Sequence, residues 1–148
     1  ALRQVSALHG KRLFARYSEA MSQENMEIVR EAWDAYSRGD YDRIEGIHDP
    51  HIVVITLEDG VVYGNDAVLA NYKRWNEAWE RAETTLEDVI GHGDRVFMRV
   101  RFHGRGRASG IEVETLLYEV YMLRDGKVLR IDEYEHRAEA LEAAGLSE

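Results

Sequence analysis

Apolar residues recur along this chain with two periods, and the switch between them divides it. From Ser22 the spacing is helical: Met26, Val29, Trp33 and Tyr36 fall on one face, as expected of an amphipathic helix. Ser22 is a good N-cap, with Glu24 in the first turn, and Gly39 suits a left-handed stop. Asp40 then caps a short helix carrying Ile44 and Ile47, which Asp49-Pro50 ends. Residues 52–57 are β-rich, Glu58-Asp59-Gly60 forms a turn, and residues 61–63 read as a short strand. Gly64-Asn65 opens a third helix with Val68, Tyr72, Trp75 and Trp79 as its stripe and Leu69 beside it.

Beyond Thr84 the period becomes two. Strands are expected at 84–90, 95–103, 111–123 and 127–136, with turns at His92-Gly93-Asp94, across the glycine-rich 104–110 stretch, and at Arg124-Asp125-Gly126. A short helix from Arg137 to Ala144 follows, with Gly145 as its stop. Helices first and a mainly antiparallel sheet afterwards predict an α+β fold.

The final strand carries the most informative alternation. Val128, Arg130, Asp132, Tyr134 and His136 share one side if the period holds throughout. A carboxylate on such a face must reach solvent, find a partner or line a pocket, because burying it unpaired is expensive. On the neighbouring strand Leu116, Tyr118, Val120 and Met122 form one face, and Thr115, Leu117, Tyr121 and Leu123 the other; both are substantially apolar.

Composition narrows the function classes. The chain has 148 residues, 45% of them hydrophobic, enough for one domain with its own core. It has no cysteine, which excludes thiol catalysis and thiolate metal sites and fits the cytoplasm. No stretch is apolar and long enough to span a membrane. The net charge of −9 argues against a nucleic-acid surface. Charge is uneven: residues 1–20 hold Arg3, Lys11, Arg12 and Arg16 against Glu19, leaving −12 on the remainder. Residues 1–20 are expected to be an N-terminal extension, and 21–148 a single domain starting at Met21.

Three local patterns have plainer readings. His48 and His51 straddle Pro50, so they are not expected to converge on a metal. Arg99, Arg101, His103, Arg105 and Arg107 form a basic strand and turn whose expected partners are Glu112 and Glu114 on the next strand. Gly104-Arg105-Gly106 precedes no helix, so it forms no phosphate loop.

The order of motifs carries a resemblance. A helix ending in Gly39-Asp40, Asp49-Pro50 before a strand, and Val62-Tyr63-Gly64-Asn65-Asp66-Ala67-Val68 opening a helix form the first part. Leu123-Arg124-Asp125-Gly126-Lys127-Val128, Glu133-Tyr134 and Arg137-Ala138-Glu139-Ala140-Leu141 complete it. Over about residues 22–146 the chain resembles the SnoaL-like branch of the nuclear-transport-factor-2-like superfamily. The resemblance implies a cone-shaped α+β barrel, a curved, mainly antiparallel sheet wrapped around N-terminal helices, with a deep pocket between. Relatives include polyketide cyclases, ketosteroid isomerases and limonene epoxide hydrolases, so the fold alone does not fix the reaction.

Carried over residue by residue, the resemblance implies that Asp132 is the last-strand acid of the cyclases and epoxide hydrolases. The hydrolases also use an Arg-x-Asp, and the strand Met98-Arg99-Val100-Arg101-Phe102 has no acid. The isomerases' base falls at about Thr56, their oxyanion-hole tyrosine near Ala32 and their protonated Asp near Tyr118; Tyr72 matches a supporting tyrosine. The expected reading is a deep pocket for a small hydrophobic molecule and cofactor-independent lyase or isomerase chemistry of cyclase type. In it Asp132 is the acid/base and Tyr118 steadies the substrate oxygen. Trp33, Tyr36, Tyr72, Trp75, Leu116, Val120, Arg130 and Tyr134 are the expected binding residues. The alternative is a non-catalytic ligand-binding or association module, in which Arg130 simply pairs with Asp132. No metal or cofactor is expected. A homodimer is expected through the face of Thr115, Leu117, Tyr121 and Leu123.

Overall fold

A computed structural model of the chain describes residues 2–147, with side chains from Gly10 onward. The elements are α1 (Leu2–Arg38), α2 (Tyr41–Ile47), β1 (His48–Thr56), β2 (Gly60–Tyr63), α3 (Asn65–Glu77), β3 (Trp79–His92), β4 (Arg95–Gly106), β5 (Glu112–Arg124), β6 (Lys127–Tyr134) and α4 (Arg137–Ala143). The strands form one curved, unclosed sheet in the order β2-β1-β6-β5-β4-β3, antiparallel except where β1 runs parallel to β6. This is the expected α+β cone.

Three features of the first helices set the cone. Gly39 closes α1 with φ 72°, and Asp40 N–H reaches back to the Ala35 carbonyl at 2.9 Å, the helix stop that favours glycine. The Asp40 side chain then accepts from Arg43 N–H, starting α2. Gly91 of β3 meets α1 so closely that a Cβ there would stand 2.9 Å from the Ser22 carbonyl oxygen, so only glycine fits.

Element boundaries differ from expectation at several places: β1 starts at His48 and runs through Pro50, β3 and β4 are longer than expected, and β6 ends at Tyr134. Ser22 does not begin a helix, because α1 runs through it. In the preceding turns Leu13, Phe14 and Tyr17 are 52%, 71% and 67% exposed. Trp79 begins β3 instead of ending α3. Arg107 causes this: its guanidinium donates to the Glu77 and Trp79 carbonyls, and its own N–H to Ala78 O.

The sheet has two working faces. Its concave face packs Val96, Met98, Val100, Tyr121, Leu123, Val128 and Ile131 against Val29 and Ala32 of α1. Its convex face is covered at one end by α4, where Ala140, Leu141 and Ala144 bury Phe97 and Val120. Elsewhere it carries a charge ladder: Arg99 and Arg101 bond Glu87, Arg101 also bonds Glu114, and His103 faces Glu112. The basic strand thus pairs with Glu112 and Glu114 as expected, with Glu87 as a further partner.

The face assignment of β5 and β6 is corrected. Met122 pairs with Arg130 but Leu123 pairs with Val128, so Leu129 is an extra residue in β6. This β-bulge shifts the phase by one, and a one-residue shift exchanges faces. Val128 is therefore concave, with Ile131 and Glu133, while Arg130, Asp132 and Tyr134 are convex. On β5 the concave face is Thr115, Leu117, Glu119, Tyr121 and Leu123. Tyr121 and Leu123 are 5% and 2% exposed, so the face expected to meet a second copy is occupied by the core.

Candidate functional site

A cavity of about 520 Å³ opens between the concave sheet, α1 and α3. Next to the packed Val29 and Ala32 its lining is largely aromatic. On one side Trp33, Tyr36 and Tyr72 meet edge to face, at 5.5 and 5.6 Å between centroids. On the other Trp79 meets Trp75 and Phe102 edge to face at 5.2 and 4.8 Å, and Trp75 meets Phe102 at a tilt at 5.3 Å. The Trp79 indole N–H is buried without a hydrogen-bond partner.

Two carboxyls stand on the cavity's sheet wall, Glu119 of β5 and Glu133 of β6. They are register partners across the antiparallel pair, a geometry that sets Cβ atoms about 5 Å apart. Glu119 is 8% exposed and its Oε2 has no hydrogen-bond partner. Burial, and then the charge of Glu133, push its pKa well above the carboxyl range. Glu133 accepts from Leu57 N–H at 3.1 Å. Burial raises its pKa too, against that hydrogen bond, with the charges of Glu58 and Asp59 adding to the rise. Two carboxyls so placed resist double ionisation. The Tyr121 hydroxyl hydrogen-bonds Glu119 and offsets part of the rise, but Glu119 is the more deeply buried of the two and the one that favours the proton; Glu133, with its backbone N–H, is the one that ionises first.

The neighbours reinforce this. Burial first, and the Glu119 charge second, keep the hydroxyls of Tyr72 and Tyr121 protonated. Tyr36 is raised as well, mainly by burial, and donates to Asn76 Oδ1 at 2.8 Å. His48 forms part of the wall beside Tyr72, with ring centroids 6.0 Å apart. Burial lowers its pKa to about 4 against a hydrogen bond to the Asn65 side chain, so it is neutral at ordinary pH. His51 is exposed and faces the Tyr63 hydroxyl instead, so the two histidines diverge. Among the described residues no three His, Cys, Asp or Glu side chains converge as metal ligands.

The expected site residues divide. Trp33, Tyr36, Tyr72 and Trp75 line the cavity, as do Ala32 and Thr56. Asp132, Tyr118, Leu116, Val120, Arg130 and Tyr134 do not; the bulge at Leu129 and the alternation of β5 put them on the convex face. There Arg130 clamps Asp132 through two hydrogen bonds, Nε to Oδ2 at 2.7 Å and Nη2 to Oδ1 at 2.9 Å. The acids on the cavity side of these strands are Glu133, one residue along β6 from Asp132, and Glu119 of β5. A signal for Glu119 was present: from Thr115 to Leu123 it is the one charged residue in an otherwise apolar strand.

A SnoaL-like domain family model matches residues 29–131. No protein of curated function matches the chain. Among solved structures, a protein assigned as a SnoaL-like polyketide cyclase from Jannaschia sp. CCS1 is 22% identical, with TM-score 0.72 over 77% of this chain and 86% of that one. A nuclear-transport-factor-2-like protein from Burkholderia xenovorans LB400 is 25% identical, with TM-score 0.69 over 83% and 96%. Bal32a, from a soil-derived mobile gene cassette, is 20% identical, with TM-score 0.72 over 83% and 97%. Among the described residues no helix is long and apolar enough to cross a membrane.

Proposed function

The chain belongs to the SnoaL-like domain family, and from that membership we propose that it takes a largely apolar small molecule into the cone and moves a proton on it without a cofactor. The chemistry is that of an isomerase or cyclase. The observation that carries this reading is the Glu119–Glu133 pair on the cavity wall. One member holds a proton and the other is the base, so the pair both gives and accepts within one site. A carbonyl oxygen near Trp79 finds an unused N–H, which favours the developing enolate.

The test is solvent-deuterium incorporation next to the carbonyl of aromatic ketones and β-diketones, followed by NMR. Exchange is expected with wild type and a loss of about 100-fold or more in Glu119→Gln and in Glu133→Gln. Exchange undiminished in both variants would remove the pair from the chemistry.

A non-catalytic binding module is the second reading. It is favoured by the unsatisfied indole N–H of Trp79, which an oxygen-bearing ligand satisfies with no reaction at all. Saturable quenching of tryptophan fluorescence without deuterium incorporation would select it. Self-association, on either reading, shifts to the convex face, where Leu116 is 36% exposed. Sedimentation at micromolar concentration tests it, and a Leu116→Glu variant that stays dimeric would exclude that face.

A further inference from the structure

We propose that the molecule bound in the cone is a cation, an apolar organic ammonium whose charged nitrogen sits between the aromatic walls and the Glu119–Glu133 pair. The inference rests on the reading of the cone as a small-molecule site and adds the charge of its ligand.

Countercharge is the first ground. On the convex face the strand carboxylates have cationic partners: Glu87 has Arg99 and Arg101, Glu114 has Arg101, and Asp132 has Arg130. Inside the cone the same strands present Glu119 and Glu133, and no cationic side chain bonds either of them among the described residues. Glu58 and Asp59 stand at the rim. The one permanently charged basic side chain on the cavity lining is Arg74, exposed in the last turn of α3. An anionic ligand would meet four acids against one base. A cationic ligand brings the charge that the interior lacks, and a buried carboxylate gains most from a partner where water is excluded.

The walls are the second ground. Trp33 and Tyr72 on one side and Trp75 and Trp79 on the other frame the cavity. Indole and phenol faces carry negative potential, and such a cage is how proteins hold alkylated ammonium groups. Glu119 is the third: it is more than nine-tenths buried on the cavity wall, and its Oε2 has no hydrogen-bond partner among the described residues.

Binding a cation changes the state of the pair. In the empty cone the two carboxyls share a proton because two adjacent charges repel. A positive nitrogen beside them favours double ionisation, so the shared proton leaves to solvent as the ligand enters. The ligand thereby leaves two carboxylates facing its nitrogen, so with a cationic ligand the pair acts as counter-ion and base, and the proton given in a reaction is the one taken from the ligand.

Phenyltrimethylammonium and its uncharged isostere tert-butylbenzene separate charge from shape. Calorimetry in buffers of different ionisation heat reads both affinity and proton release. The cation is expected to bind wild type about tenfold more tightly than the isostere, to release a proton, and to bind more tightly as pH rises. Glu119→Gln is expected to lose both preference and proton release. Its folding is checked by circular dichroism, and the wild-type release needs no variant. Equal or tighter binding of the isostere, no binding of either probe, or an unchanged preference in folded Glu119→Gln would overturn the inference. Failure here with deuterium exchange intact leaves the proton-transfer reading standing. Preferential cation binding with no exchange does the reverse.

Discussion

Strands β5 and β6 present two surfaces built from the same few residues, and the two treat charge in opposite ways. On the convex side Asp132 is 17% exposed at its side chain and clamped by Arg130. On the concave side Glu133, the next residue, has only a backbone N–H and a second carboxyl for company. Both are acids on a half-buried strand one residue apart. The paired acid satisfies itself and has nothing left to offer; the unpaired one keeps free lone pairs and a displaced proton affinity. Proximity to an apolar interior therefore does not make a carboxylate useful. The absence of a partner within the chain does.

The surfaces also differ in what they contribute to stability, and truncation exposes this most sharply. Phe97 is fully buried beneath α4 on the convex side. Phe97→Ala is expected to cost about 3–5 kcal/mol in urea unfolding, since it removes a packed ring and leaves a hole. Trp75 is as large but 37% exposed at an existing cavity. Trp75→Ala is expected to cost no more than about 1 kcal/mol, with its main effect on ligand binding. Equal costs would mean that the cone is packed as core and not kept open.

Acid titration sharpens the comparison next. His48 on the concave wall is held neutral by burial, with its pKa lowered from 6.5 to about 4. Its folded form binds fewer protons than its unfolded form between those values, so stability falls as pH drops through that window. The loss is of order 3 kcal/mol. Thermal melts of wild type and His48→Gln between pH 7 and 4 should converge as the wild type loses this amount. A constant gap would show that His48 is not buried neutral.

Glu119 acts with the opposite sign. Its folded pKa is raised from 4.5, so the folded state binds more protons above that value and stability falls as pH rises. Glu119→Gln removes the group that must ionise. The variant is expected to gain stability over wild type progressively from about pH 5 through neutrality. A gap that narrowed with rising pH would mean that Glu119 is paired after all.

Much of the cone was legible in the chain. Met26, Val29 and Trp33 do face the sheet, Gly39 does stop α1, and the strand order from β3 onward follows from turns and alternation. The aromatic walls were legible too, because Trp33, Tyr36, Tyr72 and Trp75 sit on helices whose 3.6-residue period is robust. The polar half of the site was not. Its position depends on strand phase, and phase depends on one extra residue, Leu129, in a strand whose composition does not mark a bulge. β5 gave no correction because both its faces are apolar, Tyr118 and Val120 on one, Leu117 and Tyr121 on the other. With period two, one uncounted residue moves every candidate acid to the wrong side. The lone charge at Glu119 was the available clue, since a single carboxyl in a nine-residue, mostly apolar run has no counter-ion on its own strand.

The smallest expected effect belongs to Asp132. Its partner Arg130 is half-exposed at the side chain, 46% against 17% for Asp132, so water screens their attraction despite the two-point geometry. Exposed or half-exposed ion pairs contribute about 0.2–1 kcal/mol. Asp132→Asn keeps the shape and one acceptor oxygen, so a loss of about 0.5 kcal/mol is expected. At about 1 M salt, where screening acts over roughly 3 Å, the loss should shrink further. Binding and deuterium exchange in the cone should not change, because the sheet backbone separates this carboxylate from the cavity. The matched measurement is the same Asn-type change on the other face, Glu133→Gln, which is expected to alter exchange strongly. If Asp132→Asn abolished exchange while Glu133→Gln left it intact, the phase of β6 would be reversed, and the acid/base role would return to the convex residue.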